Sequence, residues 1–143
     1  MDGSGEVSVA DFSGDIVVVN FWASWCSGCR TEHPALLQAA SDYAAFGTTF
    51  VAVNYQDSPG RAASFLDELG TSAETVYTID EGSATAFEWG VLGLPETFFV
   101  DRNGIVVGKI SGPTTYQLLA DTIEAIIVGE SIGDVTTGDV ENR

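Results

Sequence analysis

The sequence predicts an α/β fold in which a central sheet carries helices on both faces. Three observations predict it. Ile16-Val17-Val18-Val19-Asn20-Phe21-Trp22 is a near-continuous apolar run rich in β-branched residues, the pattern of a strand buried on both faces. Segments with helical spacing of apolar residues then alternate with further short apolar runs. Finally, 143 residues at 45% hydrophobic content can fill one core without disulfide staples.

Each element follows from a local signal. A helix is expected from about Ser27 to Phe46, with Leu36, Leu37, Ala40, Tyr43 and Ala44 at helical spacing and Gly47 as its stop. Pro34 falls inside it and is expected to kink it. Phe50–Asn54 reads as a second buried strand. Ser58 followed by Pro59 is a helix start, Ala62, Phe65, Leu66 and Leu69 give that helix one apolar stripe, and Gly70 ends it. A short strand over Thr75–Ile79 and a short helix over Ser83–Trp89 come next. Glu96–Val100 is a strand, Asp101-Arg102-Asn103-Gly104 a turn, and Ile105–Ile110 the returning arm of the hairpin. Pro113-Thr114 opens the last helix, with Leu118, Leu119, Ile123, Ile126 and Ile127 towards the core and Gly129 at its end. The domain is expected to span 1–129. The acidic, Gly/Thr/Asp-rich segment 130–143 is expected to be a mobile tail.

The charge balance excludes some partners. Twenty-one acidic residues against five basic ones give a formal charge of −16. Such a surface repels nucleic-acid phosphates and anionic lipid headgroups. It favours solubility and a monomer. The single lysine, Lys109, is compatible with adaptation to high salt. No apolar run is long enough to span a bilayer, and Met1–Glu6 has no signal-peptide pattern.

The chemistry centres on Cys26-Ser27-Gly28-Cys29, the only cysteines in the chain. Placed after a buried strand and at a helix start, the first sulfur meets unpaired N–H groups and the positive end of the helix dipole. Both favour a thiolate, the attacking species in disulfide exchange. Cys26 is therefore the expected nucleophile and Cys29 the resolving thiol. A structural zinc site needs four ligands, and one histidine, His33, cannot complete it. Cu(I) held by Cys26, Cys29 and His33 is the alternative from another class.

Val18-Val19-Asn20-Phe21-Trp22-Ala23-Ser24-Trp25-Cys26-Ser27-Gly28-Cys29 resembles the active-site segment of the thioredoxin superfamily, and within it the extracytoplasmic TlpA/ResA/CcmG (DsbE) group. Trp89-Gly90-Val91-Leu92-Gly93-Leu94-Pro95-Glu96-Thr97-Phe98-Phe99-Val100-Asp101 resembles the cis-proline segment of the same group, nearest to the cytochrome c biogenesis reductants. The resemblance runs from about Val7 to Val128. It implies a thioredoxin fold with a mixed sheet and a helix–strand insertion over Asp57–Trp89. It also implies a cis Pro95 beside the dithiol, and a Leu94 backbone that pairs with substrate. Glu32 matches an acidic residue that tunes thiols or shuttles protons, and Glu96 matches the biogenesis reductants. Trp25 is expected on the substrate surface, and His33 on the helix surface. Asn20 replaces the buried aspartate of thioredoxins, and Gly28 stands where proline is common. Glycine is expected to loosen the helix start and shift the potential.

By the same resemblance, the activity is dithiol–disulfide exchange without a metal or other cofactor. The implied substrates are extracytoplasmic protein disulfides such as those of apocytochrome c. The implied re-reductant is a membrane donor of CcdA/DsbD type. A disulfide-donating oxidase uses the same residues, and the potential separates the two. The resemblance further implies that the group's N-terminal hairpin is represented only by its end, and an anchor or export signal is expected outside this sequence.

Overall fold

The computed structural model describes residue 12, residues 14–130 and residues 133–141. The remnant of the N-terminal hairpin expected before them lies outside the described residues.

The first strand among the described residues, β1 (Ile16–Trp22), is buried at every position, as its near-continuous apolar run implies. It leads into helix α1 (Ser27–Tyr43), which continues as a 3-10 turn to Phe46 before Gly47 reverses the chain at φ +64°. Pro34 lies within α1, and the helix continues through it to Tyr43. β2 (Thr48–Tyr55) follows, then α2 (Pro59–Leu69), whose N-cap Ser58 accepts the Arg61 N–H. β3 (Thr75–Asp80) and the short α3 (Ala84–Trp89) occupy the expected insertion. Asp80 accepts the N–H groups of Thr85 and Ala86 and so caps α3 from the end of β3. β4 (Glu96–Val100) and β5 (Val106–Ser111) form the hairpin, and α4 (Tyr116–Ile127) begins at the N-cap Thr115.

Among the described residues the sheet has six strands, in the order β3-β2-β1-β4-β5-β6. β1 pairs parallel with β2 and antiparallel with β4, and β1 and β4 are the two middle strands, at the centre of the sheet. Alternate residues of β1 face opposite cores. Val17, Val19 and Phe21 pack with Phe65 of α2 and Ala86 of α3. Ile16 and Val18 pack with Ala39, Ala40 and Tyr43 of α1 and with Leu119, Ile123 and Ile126 of α4. Helices thus cover both faces, as the sequence implied.

The tail departs from expectation. β6 (Gly133–Thr136) pairs parallel with β5, from Gly108↔Gly133 to Ser111↔Thr136, and extends the sheet beyond residue 129. Further on, Glu141 forms an antiparallel bridge with Leu94. Three of the four β6 residues are exposed, so the strand is held by backbone pairing rather than apolar burial. Two expected core positions also differ: Ala44 is exposed in the 3-10 turn, and Ile127 is exposed at the end of α4.

Candidate active site

α1 starts at Cys26. This residue has extended backbone (φ −93°, ψ 114°) and serves as the helix N-cap. Its Sγ accepts the N–H of Cys29 at 3.1 Å. Cys26 and Cys29 form a disulfide, with Cα atoms 5.3 Å apart. Both are buried, at 1% and 2% exposure.

The loop that delivers Cys26 is tied down by Asp57. That carboxylate accepts the Ser24 N–H (2.7 Å), the Ser24 hydroxyl (2.8 Å), the Ser58 N–H (2.9 Å) and the Asn54 amide (3.2 Å). Partial burial raises its pKa, but the bonds from Ser24, Asn54 and Ser58 outweigh this and hold it below the usual carboxylate range. Trp25 is half-buried, and its indole N–H donates to the Gln56 carbonyl. The whole Ser24–Trp25 corner therefore hangs from the β2–α2 connection. Sequence reasoning missed Asp57; an Asp directly before the Ser58-Pro59 helix start was the available signal.

The Leu94–Pro95 peptide bond is cis. The Pro95 ring lies against Gly28: a Cβ at position 28 would sit 3.1 Å from Pro95 Cδ and 2.8 Å from Pro113 Cγ. Glycine at this position therefore makes room for two proline rings, which the sequence reading of a loosened helix start did not include.

Glu32 is 1% exposed on α1, one turn beyond Cys29. Asn20 Nδ2 donates to its Oε2 (2.8 Å) and also to Thr97 Oγ1 (3.0 Å), and the Thr114 N–H donates to Oε1 (3.1 Å). Burial raises its pKa to about 8, against the opposing effect of the bonds from Asn20 and Thr114. At neutral pH the group is therefore mostly a protonated acid. Asn20 is a suitable neighbour for it, since a second carboxylate there would add like-charge repulsion.

Glu96 is also 1% exposed, at the start of β4. Burial pushes its pKa up. Lys109 Nζ, 3.5 Å from Oε1, and the Leu92 N–H, 3.4 Å from Oε2, pull it back. Glu96 pairs with Phe21 of β1 and Ser111 of β5, on the strand that Pro95 introduces.

His33 corrects the sequence reading. It is buried, not on the helix surface: Nε2 lies 2.7 Å from the Gly70 carbonyl, and the ring meets Phe65 edge-on at 5.2 Å. The end of α2 covers it, a contact 37 residues away that helical periodicity cannot show. Among the described residues, no group of three or more His, Cys, Asp and Glu side chains is arranged to hold a metal ion. Nor is any helix among them long and apolar enough to cross a membrane.

A mixed sheet flanked by helices, a Cys-x-x-Cys disulfide at a strand-to-helix junction, and a cis-proline packed against it define a thioredoxin-fold protein with a redox-capable disulfide. The chain belongs to the AhpC/TSA family, whose sequence profile matches residues 1–109. It is 41% identical over 116 residues to the thiol:disulfide interchange protein HelX of Rhodobacter capsulatus, a match covering 81% of this chain and 63% of the relative. It is 37% identical to the thiol:disulfide interchange protein DsbE of Allochromatium vinosum, covering 80% of this chain and 61% of that one. The chain thus spans about three fifths of the length of these two relatives. Among solved structures, a Chlorobium tepidum protein provisionally assigned as the thiol:disulfide interchange protein DsbE superposes with a TM-score of 0.77. It shares 33% identity, and the match covers 85% of this chain and 86% of that one.

Proposed function

We propose that the protein is a thiol–disulfide oxidoreductase that reduces disulfides of extracytoplasmic polypeptides, apocytochrome c being the implied substrate. The observation that carries this reading is the Cys26 Sγ acting as the N-cap of α1 and accepting the Cys29 N–H at 3.1 Å. A thiolate formed there keeps that hydrogen bond and gains the helix dipole. The similarity to HelX and DsbE interchange proteins supports the same class of chemistry.

In the reduced enzyme, the Cys26 thiolate attacks one sulfur of a substrate disulfide. The Cys26–substrate bond forms, the substrate S–S bond breaks, and the second substrate sulfur leaves as a thiolate that takes up a proton. Cys29 then loses its proton and attacks Cys26 Sγ. The first substrate sulfur leaves, and the two electrons of the dithiol now reside on the substrate. Glu32, one helical turn beyond Cys29 and with a pKa raised to about 8, is the group we assign to exchange the Cys29 proton. The Leu94 backbone and Trp25 present the surface that meets the substrate chain, and the buried Glu96 supports that surface from the start of β4. A membrane dithiol donor returns the disulfide to its reduced form.

The test is the equilibrium reduction potential of the Cys26–Cys29 couple in thiol buffers. A value at or below about −250 mV, in the range of thioredoxin, is expected of a reductant. A value near about −120 mV reverses the direction and makes the protein a disulfide donor. Absence of a reversible two-electron couple refutes the assignment.

A further inference from the structure

The peptide-pairing edge beside Pro95 is already occupied by the protein's own chain. The Leu94 N–H donates to the Glu141 carbonyl at 2.8 Å, and the Glu141 N–H donates back to the Leu94 carbonyl at 2.8 Å. The Glu141 side chain reaches the start of α1, where its Oε1 accepts the Ser27 N–H (3.1 Å) and the Ser27 hydroxyl. The fit is close: a Cβ on Gly93 would lie 2.7 Å from the Glu141 carbonyl oxygen and 2.7 Å from Val140 Cγ2. Thr137 is fastened below, its N–H on the Ser111 carbonyl (2.8 Å) and its hydroxyl on the Pro113 carbonyl (2.6 Å). Gly112 leaves room for it, since a Cβ there would meet Thr137 Oγ1 at 2.6 Å.

We infer that segment 133–141 is an intramolecular pseudosubstrate: it pairs with Leu94 as a substrate strand would and must leave before a polypeptide disulfide reaches Cys26. This rests on the exchange reading above. With the segment in place, Cys26 is 1% exposed. Its attachment is suited to release. Residues 136–139 are exposed and Val135 and Val140 only half-buried, so few apolar contacts resist opening. Reduction favours release as well, because a Cys26 thiolate and the Glu141 carboxylate compete for one helix end. The occupant also describes the substrate. It is an extended chain with a β-branched residue over Gly93, followed by a side chain that accepts hydrogen bonds from Ser27.

The test compares the 143-residue protein with two point variants in the reduction of insulin, a polypeptide disulfide. Glu141→Pro removes the N–H donated to Leu94, and Glu141→Lys removes the acceptor at Ser27. If the segment is docked in about nine molecules of ten, either substitution raises kcat/KM about tenfold, carried by KM. A synthetic peptide of residues 133–143 then inhibits the Glu141→Pro variant competitively with insulin, and the same peptide carrying Glu141→Lys inhibits at least about fivefold less well. Equal, measurable rates in all three proteins, with no inhibition by the peptide, overturn the pseudosubstrate. Failure of all three to reduce insulin overturns the exchange reading itself.

Discussion

Replacing Glu32 with glutamine isolates the titration of one buried acid. The carboxyl has an ordinary pKa of 4.5, which burial raises to about 8 in the folded protein. Between those values the unfolded chain has released the proton and the folded chain retains it. Stability is therefore greatest below the lower value and falls as pH rises through the window. At 1.36 kcal/mol per pH unit, the loss between about pH 5 and pH 7.5 amounts to about 3 kcal/mol. Glutamine cannot titrate. Its amide nitrogen must, however, face either the Asn20 amide or the Thr114 N–H, both of which now donate to the carboxyl. That mismatch costs about 1–3 kcal/mol at the acid end. The Glu32→Gln variant is thus the weaker protein near pH 5, and the two stability curves converge or cross as pH rises. Urea unfolding of the disulfide forms across this range measures it, with no thiol titrating. Parallel curves would refute the claim that burial outweighs the two hydrogen bonds.

Three further outcomes are expected. Lys109→Met removes the cation 3.5 Å from Glu96 and leaves that buried carboxylate with backbone N–H donors but no counter-charge beside it. Because burial holds the Glu96 pKa above the usual carboxylate range, the loss of about 1–3 kcal/mol is present where the carboxylate is ionised and shrinks as pH falls through that raised pKa, as unfolding across a pH series reports. Gly28→Ala drives a Cβ to 2.8 Å from Pro113 Cγ, a backbone-anchored ring. Thermal unfolding is expected to show a loss of about 1–3 kcal/mol despite alanine's better helix propensity. Asp57→Ala frees the Ser24–Trp25 corner and leaves its N–H and O–H donors unpaired. It costs about 2–3 kcal/mol, with indole fluorescence reporting the released Trp25, and the loss diminishes towards low pH because the pKa of Asp57 is depressed.

Where side-chain burial decides structure, the sequence was readable. β1 matches its apolar run residue for residue, and Ser58-Pro59 starts α2 where capping chemistry places it. The dithiol junction was equally plain, because it depends on neighbours in the chain. What escaped depended on partners far away. Glu32 becomes a buried neutral acid only because Asn20 and Thr114 meet over it, the latter 82 residues on. His33 is buried by the end of α2. β6 carries Gly133, Asp134, Val135 and Thr136, which gives no hydrophobic period to detect, since backbone bonds to an edge strand require none. The β-branched run Val135-Thr136-Thr137 was the one local hint of a strand.

The long reach of the site's contacts bears on how the molecule matures. Asn20 to Thr97 spans 77 residues, Glu32 to Thr114 spans 82, and Ser27 to Glu141 spans 114. Closing such loops is entropically slow, so pairings of this kind form late in folding. On a chain made from its N-terminus, the two thiols emerge long before the residues that bury them. During synthesis the pair is thus an unguarded dithiol, open to whatever oxidant or reductant its compartment holds. Its redox partners come to be selected only as the last strand docks.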